Sequence, residues 1–173
     1  MTALRRCLVS ALSLLTFLQM SMVALADASA STTPGLRVTT TSYVFTLTLG
    51  TPQHMWTPAQ VKMMHPKMGD VVLRGSMAGG MPMGGSQRDL EVHIDSRATG
   101  KSVVGAEPTI DVIDTSVTNP TTSKVPVDEL EGVTAGASDL YYGNNVDFTP
   151  GHTYTIIVTL NGERGVLRAA AST

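Results

Sequence analysis

Hydrophobic and polar residues alternate along most of this chain. In the run Asp89-Leu90-Glu91-Val92-His93-Ile94-Asp95, three aliphatic residues interleave with charged ones. Side chains on a strand point to opposite faces with period two. The run therefore predicts a strand with one apolar face and one face carrying Asp89, Glu91 and His93 at i, i+2 and i+4. The same pattern also suits an exposed polar sheet edge. Residues 36–49, LRVTTTSYVFTLTL, are rich in β-branched and aromatic residues and read as one long strand, with Tyr43, Phe45, Leu47 and Leu49 on one face. Shorter strands are predicted at 70–75, 108–114, 124–127, 153–160 and 163–169. Pro126 assigns the 124–127 strand to an edge. Asn161-Gly162 predicts a type I′ hairpin turn. The Gly- and Asn-containing stretch 138–146 reads as a tight turn, and 128–140 as an acidic, glycine-rich connection.

The period changes once. Thr57, Pro58 and Gln60 form the start of a helix over 57–65: Thr57 caps, Pro58 takes the first helical position, and Gln60 completes a capping box. Pro66 ends it. This helix is expected to plug one end of the fold with Met63 or Met64. Seven or eight short strands, one helix and turn signals every roughly eight to twelve residues predict an all-β protein, an antiparallel immunoglobulin-like β-sandwich. A closed barrel is the alternative. The paired cysteines of an antibody-type domain are absent.

The first 26 residues change the picture of where this domain works. Arg5 and Arg6 precede an apolar run from Cys7 to about Leu25, which ends at Ala24-Leu25-Ala26. This is the pattern of a secretory signal peptide cleaved near Ala26, broken by too many hydroxylated residues for a membrane anchor. Residues 27–35 read as a flexible linker of Ala, Ser, Thr, Pro and Gly, and 36–173 as the sandwich domain. Cleavage leaves 147 residues (173 less 26), removes two arginines and so moves the formal charge from −2 to −4. A mildly acidic chain without a basic run is not a nucleic-acid binder. Its single cysteine, Cys7, leaves with the leader, which excludes disulfides and thiolate metal sites. The expected location is secreted or periplasmic, in the cell envelope.

The candidate chemistry lies in residues 54–93. All seven methionines beyond the leader fall there, as do His54, His65 and His93. Met77, Met81 and Met83 sit in a glycine-rich loop with no helical or strand period, where thioethers are available as soft ligands that favour Cu(I). Asp89, Glu91 and His93 supply harder donors. No G-x-S-x-G, H-E-x-x-H, phosphate loop or dinucleotide fingerprint occurs, so the reading is non-enzymatic. His152 follows Pro150-Gly151 and reads as a surface residue. A structural or adhesive sandwich module, with the Met-rich loop as its interaction surface, is the rival reading.

Four segments carry a resemblance: Gly79-Gly80-Met81-Pro82-Met83, then Leu90-Glu91-Val92-His93-Ile94, then Ser138-Asp139-Leu140-Tyr141-Tyr142-Gly143, then Gly151-His152-Thr153-Tyr154. Together they resemble the bacterial periplasmic iron-transport-associated family, across roughly residues 70–168. The resemblance implies an immunoglobulin-like fold, binding of copper or iron, and a membrane iron permease as partner. Glu91 and Asp139 match the family's oxygen ligands. Asp89 and Tyr141 stand where the family has histidines, and Thr134 near where it has a methionine. The remaining donors suit Fe(II) or Mn(II) better than copper. The expected metal residues are therefore Glu91 and Asp139, with Asp89 or His93 as a third ligand and Met81 and Met83 as a soft half for copper. The expected partners are a metal ion, the permease and a second copy of the chain in a homodimer.

Overall fold

A computed structural model describes residues 36–66, 70–74 and 87–171. The leader, the linker and Met68, Met77, Met81 and Met83 lie outside the described residues. In chain order the elements are β1 (Arg37–Thr39), β2 (Tyr43–Gly50), β3 (Met55–Trp56), α1 (Pro58–Met64), β4 (Val71–Leu73), β5 (Gln87–Ser96), β6 (Thr109–Asp114), β7 (Thr122–Val125), β8 (Asp128–Gly132), β9 (Gly136–Asp147), β10 (Thr153–Leu160) and β11 (Glu163–Ala170). They make an all-β domain of two sheets. One has seven strands in the order β1-β2-β5-β9-β8-β4-β3; the other has four, β11-β10-β6-β7. Every pairing is antiparallel except β3 with β4.

The period-two reading holds where burial enforces it. Leu90, Val92 and Ile94 of β5 join Phe45 and Leu47 of β2 in one buried cluster with Ile110 and Val112 of β6 and Ile156 and Val158 of β10. Both sheets thus contribute one face to a shared core. A slip of one residue in any of these strands would turn its aliphatic side chains to solvent. The turn at Asn161-Gly162 has positive φ at both residues (50° and 80°), as a type I′ hairpin requires. Residues 122–125 form a sheet edge, with Pro126 just beyond.

Four expectations need correction. Residues 36–49 are two strands: the chain reverses at residues 40–42, where Thr40 Oγ1 accepts from the Tyr43 N–H, and β1 pairs back on β2. Residues 138–146 are not a turn but the middle of β9, a twelve-residue strand. Their glycine and asparagines serve pairing. A Cβ on Gly143 would sit 1.7 Å from the Leu90 carbonyl oxygen, so only glycine lets β9 reach β5 here. The Asn144 amide donates to the Pro126 carbonyl and to Asp128, and Asn145 exchanges hydrogen bonds with the Gln53 backbone. Within the acidic stretch 128–140, residues 128–132 are strand β8, anchored by the fully buried Leu130. Finally, α1 buries none of its residues against the described part of the fold. Its capping box and Pro58 are as expected, but Met63 and Met64 are 70% and 63% exposed.

Candidate functional site

β5 is a central strand, flanked by β2 and β9. Its polar face is therefore not the exposed sheet edge that its alternation also allowed. A smaller apolar cluster of Met55, Val71, Leu73, Leu130 and Tyr141, drawn from β3, β4, β8 and β9, adjoins this region. Next to it lies a cleft of about 250 Å³ whose walls include Glu91, Asp139, Tyr141, Thr134, Gln53 and Asp70. Asp89 is fully buried beneath it, its Oδ2 accepting a 2.8 Å hydrogen bond from the Tyr141 hydroxyl.

The register explains the convergence. Glu91 pairs with Gly143 of β9 and Asp89 with Asn145, while Tyr141 and Asp139 follow toward the start of β9. Glycines on neighbouring strands make room for the acids. A Cβ on Gly50 would come within 2.9 Å of Glu91 Oε1, and one on Gly132 within 2.7 Å of Asp139 Oδ2. A side chain at either position would make the carboxylate shift from where it now sits.

The electrostatics are those of crowded negative charge. Burial, opposed by the Tyr141 hydrogen bond and reinforced by Glu91, pushes the Asp89 carboxyl from 3.8 up to about 7. Its Oδ1 is buried without a hydrogen-bond partner among the described residues. Glu91 is close enough to accept a hydrogen bond from Asp89, but only once Asp89 carries a proton. Burial and then the Asp89 charge raise the Tyr141 hydroxyl, which stays a donor. His93 sits at the far side of Glu91. Its Nδ1 lies 3.0 Å from the Leu140 carbonyl, which can only accept, so Nδ1 carries the proton. Nε2 is 3.8 Å from Glu91 Oε2. The nearby Glu91 carboxylate raises the His93 pKa above its ordinary value, against the effect of burial.

Of the expected site residues, Glu91, Asp139, Asp89 and His93 are thus brought to one region, and Met81 and Met83 lie outside the described residues. Tyr141 joins them as the hydrogen-bond donor to Asp89, and Thr134 lines the same cleft. Among the described residues no group of three or more His, Cys, Asp or Glu side chains is arranged to hold a metal ion. The donors in the cleft are hard oxygens, which fit a hard divalent ion and not Cu(I). Sequence reasoning missed Asp70 and Gln53 as cleft residues. Asp70 opens the strand predicted over 70–75, which begins only at Val71, and Gln53 lies in the connection between β2 and β3. His152 pairs with Asp114 at 2.8 Å, well away from this region, and holds the Asp114 carboxyl below the usual range.

No helix among the described residues is long and apolar enough to cross a membrane. Compared with family models, curated proteins and solved structures, the chain matches none.

Proposed function

We propose that this chain is an exported, non-enzymatic metal-binding protein that handles iron or another hard divalent ion in the cell envelope. In this reading the two sheets form an immunoglobulin-like sandwich related to the periplasmic iron-transport-associated proteins. Glu91 and Asp139 supply the hard half of the site. One observation carries the reading: two of the separate segments that the resemblance aligns meet, with Glu91, Thr134, Asp139 and Tyr141 lining one cleft and Asp89 bonded to Tyr141. Among the described residues the cleft gathers Glu91 and Asp139 near the buried Asp89, a concentration of carboxylates that a cation would offset. Asp89 and His93 are the candidates for a third ligand. A membrane iron permease and a second copy of the chain are partners within the same proposal.

One observation favours a second reading, a sandwich interaction module that retains the fold without the metal. The Tyr141 hydroxyl already occupies Asp89 Oδ2, and no three-ligand group is assembled among the described residues. Metal analysis of protein purified without chelator, followed by titration with Fe(II), Mn(II), Cu(I) and Cu(II), separates the two. Near-stoichiometric Fe(II) or Mn(II) that is lost in the double variant Glu91→Gln, Asp139→Asn supports the metal reading. Background binding of all four ions, or binding unchanged in the double variant, refutes the assignment.

A further inference from the structure

Among the described residues the two sheets have four edges, and three are short or blunted. β1 and β3 have three and two residues. β7 has four, with Lys124 inside it and Pro126 directly after it. Short strands, lysine and proline are means by which proteins keep an edge from recruiting another strand. β11 differs: its eight residues contain neither proline nor lysine, and it pairs with β10 without a register shift.

The unpaired side of β11 can be identified residue by residue. The two-residue turn makes Leu160 and Glu163 a hydrogen-bonded pair, and alternation makes Val158–Gly165, Ile156–Leu167 and Tyr154–Ala169 the next ones. Arg164, Val166, Arg168 and Ala170 therefore direct their backbone N–H and C=O groups away from β10. None of these groups has a backbone partner among the described residues. The C-terminal half of this edge borders a mostly apolar cleft of about 620 Å³, lined by Leu36, Leu49, Thr153, Arg168, Ala169 and Ala170.

The outward-directed residues of this edge carry only positive charge, since Glu163 at the start of β11 is engaged by the Ser42 N–H. Arg164 and Arg168 are exposed on β11, and Arg37 is exposed on β1, which runs close by. None of the three arginines is in an ion pair among the described residues. This argues against a second copy docked in the register centred on Val166. Two β11 strands paired antiparallel about Val166 would set Arg164 of each opposite Arg168 of the other, and like charges directly opposed destabilise a strand pair.

We infer that the β11 edge and its cleft receive an extended acidic segment of a partner protein, added as a fifth strand to the small sheet. The strand's period of two lets such a segment turn apolar side chains to the cleft and carboxylates to Arg164 and Arg168. The inference is independent of any metal at the β5–β9 cleft.

The test uses the full chain with two fluorescein-labelled octapeptides, one alternating valine with glutamate and one alternating valine with lysine, read by fluorescence anisotropy. The glutamate peptide is expected to bind, more weakly as salt is added, and the lysine peptide not to bind. Val166→Pro removes an outward N–H and no β10–β11 hydrogen bond, and is expected to weaken the glutamate peptide at least about tenfold. Arg168→Glu, an exposed change that leaves the fold intact, is expected to weaken the glutamate peptide and admit the lysine one. The inference is overturned if neither peptide binds, if both bind equally, or if neither substitution affects binding. A concentration-dependent dimer that Val166→Pro abolishes would also overturn it, by making a second copy the occupant.

Discussion

Replacing Asp89 with asparagine is expected to stabilise this protein above neutral pH. In the folded state burial raises the Asp89 carboxyl from 3.8 to about 7. An acid whose pKa is raised on folding costs nothing below its unfolded value, where both states hold the proton. As pH rises from about 3.8 to about 7 the unfolded chain releases a proton that the folded chain keeps, and stability falls; above about 7 the full cost is present. A shift of about three units corresponds to about 4 kcal/mol at 1.36 kcal/mol per unit. Asparagine has the same shape without the charge. Its carbonyl oxygen can accept from Tyr141, and its amide can donate to Glu91 in place of the proton that Asp89 would need. Urea denaturation followed by the fluorescence of Trp56, the single tryptophan, at pH 4, 5.5, 7 and 8.5 measures the difference. Asp89→Asn should be about 4 kcal/mol more stable than wild type at pH 8.5, and within about 1 kcal/mol of it at pH 4. His93, whose pKa Glu91 raises, contributes stability below its unfolded value that is lost as pH rises through its folded one. That contribution acts through Glu91, which both proteins keep. Parallel pH profiles, or a variant less stable at pH 8.5, would refute the reasoning.

Two further outcomes follow from the packing. Gly143→Ala places a Cβ 1.7 Å from the Leu90 carbonyl oxygen, a backbone atom held in the ladder; it should lose at least about 3 kcal/mol in thermal unfolding, and an unchanged Tm would mean that β9 and β5 are not in this register. The methionines should divide by burial: Met55→Ala, at 3% exposure, should cost about 2–5 kcal/mol, whereas Met63→Gln with Met64→Gln should stay within about 0.5 kcal/mol of wild type for each substitution. A large loss from the exposed pair in the same denaturation assay would show that Met63 and Met64 are covered in the folded protein.

The sequence by itself determined the features whose physics is local. Thr57, Pro58 and Gln60 specify a helix start through bonds that span three residues, and the helix begins there. Asn161-Gly162 specifies a turn by tolerating positive φ at two successive positions. The alternation of Leu90, Val92 and Ile94 with Asp89, Glu91 and His93 assigned every one of those side chains to its face of β5. What lay beyond reach depended on partners distant in the chain. Gly143, Asn144 and Asn145 have the composition of a turn, and only the approach of β5 and the demands of Pro126, Asp128 and Gln53 make them strand. Whether β5 lay at a sheet edge or between two strands was a matter of sheet order, which no period encodes. The tertiary structure decided it by setting β9 and β2 on either side. That placement buries Asp89 completely, supplies Tyr141 to its carboxylate, and brings Asp139 from nearly fifty residues away to the cleft that Glu91 lines.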